Sequence, residues 1–150
     1  MRRLLKFILN IVIYAAIVGL IVWGLPKYLT KKLGTDYPIA AITSGSMWPA
    51  LHIGDLVLIE AVKKEDLKIG DIVVWQNSKG PPDGRVNFTI HRVKELRKNT
   101  LVTKGDGNFT DDEPVKYEDV IGRTVYRGEK PVRVPYMGYI SVWAAKLRAN

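Results

Sequence analysis

From Phe7 to Leu25 the chain reads FILNIVIYAAIVGLIVWGL, nineteen residues in which Asn10 is the one strongly polar side chain. At about 1.5 Å rise per residue a helix of this length spans roughly 28 Å, close to the hydrocarbon thickness of a bilayer. The stretch predicts a transmembrane helix. A cleaved signal peptide would have a shorter apolar region that ends in small residues, whereas this run ends in Trp23-Gly24-Leu25-Pro26-Lys27. A core helix of a soluble domain would carry a polar stripe, and none interrupts the run.

Charge follows the same division. Of the 23 basic residues, six (Arg2, Arg3, Lys6, Lys27, Lys31, Lys32) flank the apolar run, and residues 1–32 contain no acidic one. The rest of the chain is nearly balanced, so most of the formal +8 sits where headgroup phosphates would meet it. This distribution argues against a nucleic-acid partner and for the lipid bilayer. Three basic residues precede the span and three follow it, so charge bias sets no orientation. There is no cysteine, which excludes disulfides, a thiolate nucleophile and Cys-ligated metal.

Beyond Pro26 the apolar residues recur in short β-rich runs bounded by Gly, Pro, Asp and Asn. Strands are predicted near 37–43, 56–60, 72–76, 86–93, 100–104 and 120–127, so the domain after the helix is mainly β. Two runs follow Gly-Asp pairs, Gly54-Asp55 and Gly70-Asp71, where glycine permits the turn and aspartate can bond the local backbone. Residues 77–85 (NSKGPPDGR) are a surface loop by composition. The final stretch, 139–149, is expected to form a short amphipathic helix with Ile140, Val142, Trp143 and Ala144 as its apolar members, either on the bilayer or against the β domain. The expected organisation is an anchor over 1–32, a β domain over 33–136 and this terminal segment over 137–150.

Three stretches have the residue types of covalent peptide hydrolysis, which needs a nucleophile, a base and oxyanion donors. Thr43-Ser44-Gly45-Ser46-Met47-Trp48-Pro49 supplies hydroxyls on a turn opened by Gly45. Of the two histidines, His52 abuts the Gly54-Asp55 turn, where a structural or exposed role is expected. His91 shares a strand face with Asn87 and Thr89, opposite Val86, Phe88 and Ile90, where a cleft could lie. The loop 104–113, KGDGNFTDDE, has carboxylates that could orient an imidazole. Calcium binding is the rival reading of such an oxygen-rich loop, but EF-hand spacing is absent, and Lys104 is a rival base.

In order along the chain, these pieces resemble the type I signal peptidases, specifically the archaeal and endoplasmic-reticulum type with histidine in place of the bacterial lysine. The matching stretches are Ser44 to Leu51, Gly54-Asp55-Leu56-Val57, Gly70-Asp71-Ile72-Val73, His91-Arg92, and Gly105-Asp106 through Asp112, all following one N-terminal span. Gly107 stands where relatives usually carry asparagine. The self-cleaving repressor peptidases are related, but they carry a DNA-binding module where this chain has its apolar run.

The resemblance implies a signal-peptidase-like β-barrel domain without a cofactor or metal. It further implies Ser46 as nucleophile, His91 as general base and Asp112 as the carboxylate orienting it, with Ser44 in the place of an oxyanion hydroxyl and Asp106 in support. The implied substrate is a preprotein signal peptide lying as an added strand and cut after small residues, with accessory membrane subunits as further partners. The implied topology puts the N-terminus in the cytoplasm and the β domain on the exoplasmic or luminal side of the cell or endoplasmic-reticulum membrane. A catalytically silent, membrane-tethered β module is the alternative from outside the enzymes.

Overall fold

The computed structural model describes residues 2–77, 87–140 and 143. One continuous helical run leads the chain: α1 (Arg2–Gly19), a π-helical turn (Leu20–Gly24) and α2 (Leu25–Leu33). Its 32 residues are long and apolar enough to cross a membrane, and none is buried against the β domain, which removes the core-helix reading.

The helix does not stop at the proline that closes the apolar run. Proline lacks an N–H and its ring crowds the carbonyl four residues back, here that of Val22. The π turn loosens the spiral immediately before it, with the Leu25 N–H donating to the Leu20 carbonyl five residues back. Pro26 then falls in the first turn of α2, where its missing donor is least felt. Gly34 ends the run in the left-handed region (φ 69°), and the Leu33 carbonyl accepts from the Ala61 N–H at 2.7 Å, tying the helix end to the β domain.

The strands are β1 (Ile39–Ala41), β2 (Leu56–Glu60), β3 (Ile72–Asn77), β4 (Asn87–Leu96), β5 (Thr100–Lys104), β6 (Val115–Lys116), β7 (Val120–Thr124), β8 (Tyr126–Arg127), β9 (Lys130–Pro131) and β10 (Arg133–Val134). An antiparallel sheet runs β1-β2-β7-β3-β4-β5-β6, with β10 also on β2, while β8 and β9 form a separate hairpin. The mainly β domain behind one apolar helix is thus as expected. Among the described residues its ladder is open between β1 and β6 rather than closed into a ring.

Both faces of the central strands are covered, which explains the unbroken apolar run Ile72-Val73-Val74. Ile72 and Val74 join Ile42, Met47, Leu51, Val57 and Ile59 in one core, while Val73 joins Leu67, Val93, Leu101 and Val115 in a second. Strand β4 alternates between the two: Phe88 and Ile90 pack on the first core and Val93 in the second. His91 pairs with Val73 and lies on the Val93 face, opposite Phe88 and Ile90 as the alternation requires. His91 is only 7% exposed, and with Thr89 it also lines the cleft beside Ser46.

The two Gly-Asp pairs fold alike. Gly54 and Gly70 have φ of 88° and 99°, and Asp55 and Asp71 each accept the backbone N–H three residues back, from His52 at 2.9 Å and Lys68 at 3.0 Å. An arginine completes each turn, Arg133 on Asp55 at 2.7 Å and Arg123 on Asp71 at 3.3 Å. Apart from Asn77, the loop expected over 77–85 lies outside the described residues. So does most of the helix expected over 139–149, including Val142 and Ala144.

Candidate active site

Ser46 stands on the turn that follows β1. Met47 and Leu51, fully buried in the first core, fix that turn from below, and backbone bonds from Trp48 N–H to the Gly45 carbonyl (3.1 Å) and from Leu51 N–H to the Met47 carbonyl (2.9 Å) close it. The loop 105–112 backs onto it closely: the Gly107 N–H donates to the Ser46 carbonyl at 2.8 Å. A Cβ on Gly105 would sit 2.5 Å from that same carbonyl, so only glycine permits the approach.

The three residues expected to share chemistry meet at one point. His91 Nε2 lies 3.1 Å from Ser46 Oγ, and His91 Nδ1 lies 2.6 Å from Asp112 Oδ2. A carboxylate only accepts, so Nδ1 carries the proton and Nε2 presents its lone pair to the Ser46 hydroxyl. Ser44 Oγ is 3.1 Å from Ser46 Oγ. With the Ser46 proton directed at His91, Ser44 is the donor in that pair.

Asp106 is not in this line. It forms a two-pronged ion pair with Arg92, Nε to Oδ1 at 2.8 Å and Nη2 to Oδ2 at 2.7 Å, while Arg92 Nη1 donates to the Gly70 carbonyl at 2.7 Å. The hydrogen bond to Asp106, opposed by partial burial, raises the Arg92 pKa above its ordinary value. Arg92 therefore remains charged at every pH the protein meets and clamps the loop to β4 and to the second Gly-Asp turn.

A cleft of about 290 Å³ opens beside Ser46, walled by Ile42, Met47, Phe88 and Ile90 with Asn108 at its edge. Among the described residues, two unpaired strand edges border it. β5 begins to pair with β4 only at Arg92, so Asn87 to His91 are bonded on one side alone, by β3. Among the described residues β1 is likewise paired only with β2.

Human signal peptidase complex catalytic subunit SEC11C is 32% identical to the chain over 156 aligned positions, covering 94% of the chain and 72% of the human protein. The chain belongs to the signal peptidase complex catalytic subunit family. The SEC11 subunit of Zygosaccharomyces rouxii is 32% identical, covering 80% of the chain and 73% of the relative. That of Sclerotinia sclerotiorum is 34% identical over 77% and 69%. No family model matches the chain.

Within this signal peptidase family member the rival groups point elsewhere. Lys104 Nζ donates to the Phe109 carbonyl at 3.1 Å and lies 3.9 Å from Asp111, turned into its own loop rather than toward Ser46. His52 is about half exposed and faces Arg133 at 3.2 Å, a structural position as expected. Three of the loop's carboxylates point to separate partners, Asp106 on Arg92, Asp111 near Lys104 and Asp112 on His91, rather than converging on one point. Two side chains that hold the site were not anticipated, Arg92 and Thr103. The sequence signal for Arg92 was its place beside His91. A threonine within a β run is too ordinary to mark Thr103.

Proposed function

We propose that the protein is a membrane-anchored serine endopeptidase that removes signal peptides from exported preproteins through an acyl-enzyme on Ser46. One observation carries the reading: a single imidazole bridges a serine hydroxyl and a carboxylate, in a chain of the signal peptidase family.

As Ser46 Oγ attacks the scissile carbonyl, its proton passes to His91 Nε2, and the imidazolium is stabilised by Asp112 across the 2.6 Å bond. The proton then goes to the leaving amine, and a water molecule repeats the attack on the ester. The Ser44 hydroxyl and the Ser46 backbone N–H, which has no backbone acceptor among the described residues, are the donors assigned to the developing oxyanion. The substrate's extended segment adds to the unpaired edges of β1 and β4. The modest size of the cleft favours small side chains before the cut.

The apolar helix holds enzyme and substrate in one membrane, that of the cell or the endoplasmic reticulum, with the N-terminus cytoplasmic and the β domain exoplasmic or luminal. The relatives' names place them in a complex, and accessory membrane subunits are proposed here by the same analogy. Full-length protein in detergent, incubated with a preprotein, should release the mature product, and Ser46→Ala should release none. Cleavage by both proteins, or by neither, contradicts the proposal.

A further inference from the structure

Thr103 is fully buried in the middle of β5, opposite Val93 and beside Leu101, in a core otherwise made of Leu67, Val73, Val93, Leu101 and Val115. An apolar residue of the same shape would fill that position without the cost of desolvating a hydroxyl. Among the described residues its hydroxyl has one partner, Asp112 Oδ2 at 2.6 Å, and its carbonyl accepts the Asp112 N–H at 2.8 Å. One residue therefore grips Asp112 at both backbone and side chain.

The oxygen it grips is the one that faces His91: Oδ2 accepts from Thr103 Oγ1 and from His91 Nδ1, each at 2.6 Å. Asp112 lies on an irregular loop, and its side chain keeps about a fifth of its surface in solvent. A lone imidazole contact would leave the carboxyl group free to rotate or to trade His91 for water. Thr103 is fully buried on a strand paired with β4 at Val93, so its hydroxyl is a fixed donor that defines where Oδ2 rests.

We infer that Thr103 is a positioning residue for the peptidase reaction, acting through Asp112 to hold the His91 ring in register with Ser46. The inference rests on the proposed Ser46, His91 and Asp112 chemistry. It predicts that the hydroxyl, not the side-chain volume, matters.

The test compares full-length wild type with Thr103→Val, Thr103→Ser, Asp112→Asn and the double variant Thr103→Val/Asp112→Asn, using preprotein cleavage with kcat and KM resolved and thermal unfolding measured alongside. Thr103→Val should lose about 10- to 100-fold in kcat with KM nearly unchanged, and Thr103→Ser should recover most of the loss. In the Asp112→Asn background, Thr103→Val should cause little further loss, because the group it positions is already gone. Wild-type kcat in a folded Thr103→Val overturns the inference, as does the same fractional loss in both backgrounds. Should Thr103→Val fail to fold, the inference stands or falls on Thr103→Ser, for which kcat near that of wild type is required. Full activity in Asp112→Asn would instead overturn the underlying reading of the site, a different outcome from failure of Thr103 alone.

Discussion

At the scale of single residues, the proposed mechanism passes one proton from Ser46 to His91, so these two side chains should fail together. Ser46→Ala and His91→Ala are each expected to lower kcat on the order of 10⁶-fold, and the double variant should be no slower, because either loss removes the same step. Preprotein cleavage by the three variants checks this; additive losses would mean that the two side chains act separately. Ser44→Ala should cost roughly 10²–10³ in kcat with KM little changed, as expected when an oxyanion donor is removed. A change confined to KM would make Ser44 a substrate contact instead. The roles of Ser46, His91 and Asp112 came from the family resemblance; the residues alone narrowed the base to two histidines but left four carboxylates in the loop 104–113. Thr103 could not be named from the sequence, because its importance depends on which carboxylate arrives opposite it.

At the scale of elements, the acidic loop is pressed onto the serine turn by the Arg92–Asp106 clamp and by two glycines. Arg92→Ala leaves the Asp106 carboxylate without its partner and should lower stability by about 1–3 kcal/mol, read by denaturant or thermal unfolding. Gly105→Ala forces a Cβ to 2.5 Å from the Ser46 carbonyl. It should displace the turn and cut kcat by about 100-fold; near-normal activity would show that the loop can yield.

What was legible here was local. The runs over 56–60 and 100–104 formed strands with the predicted limits, and both Gly-Asp turns fold as their residues suggested, since each is decided within a few neighbouring residues. The segment 37–43 shrank to Ile39–Ala41, the three residues in register with Leu56–Leu58 of β2. Two-residue strands such as Val115–Lys116 and Arg133–Val134 exist only through distant partners and leave no periodic trace. The helix ran on through Pro26 because a π turn absorbed the mismatch, a device with no sequence signature.

At the scale of the whole molecule, the apolar helix and the β domain do different work. The helix end is fastened to the domain at Leu33 and Ala61, so the cleft is held at a set distance from wherever the helix sits. Tethering enzyme and substrate to one bilayer raises their effective concentration toward the mM range. Full-length protein reconstituted in the same vesicles as a preprotein should therefore cleave it many times faster than when the two occupy separate vesicles; equal rates would assign the helix no part in encounter. The central claim is that a turn after β1, the middle of β4 and a loop after β5 converge to make one serine a nucleophile. The most direct test is to incubate the full-length protein with a peptidyl ester ending in alanine, quench with acid and map the adduct by mass spectrometry. The account predicts an acyl group on Ser46 in the wild type and none in His91→Ala. An acyl group on another residue, or equal labelling of Ser46 without His91, would contradict it.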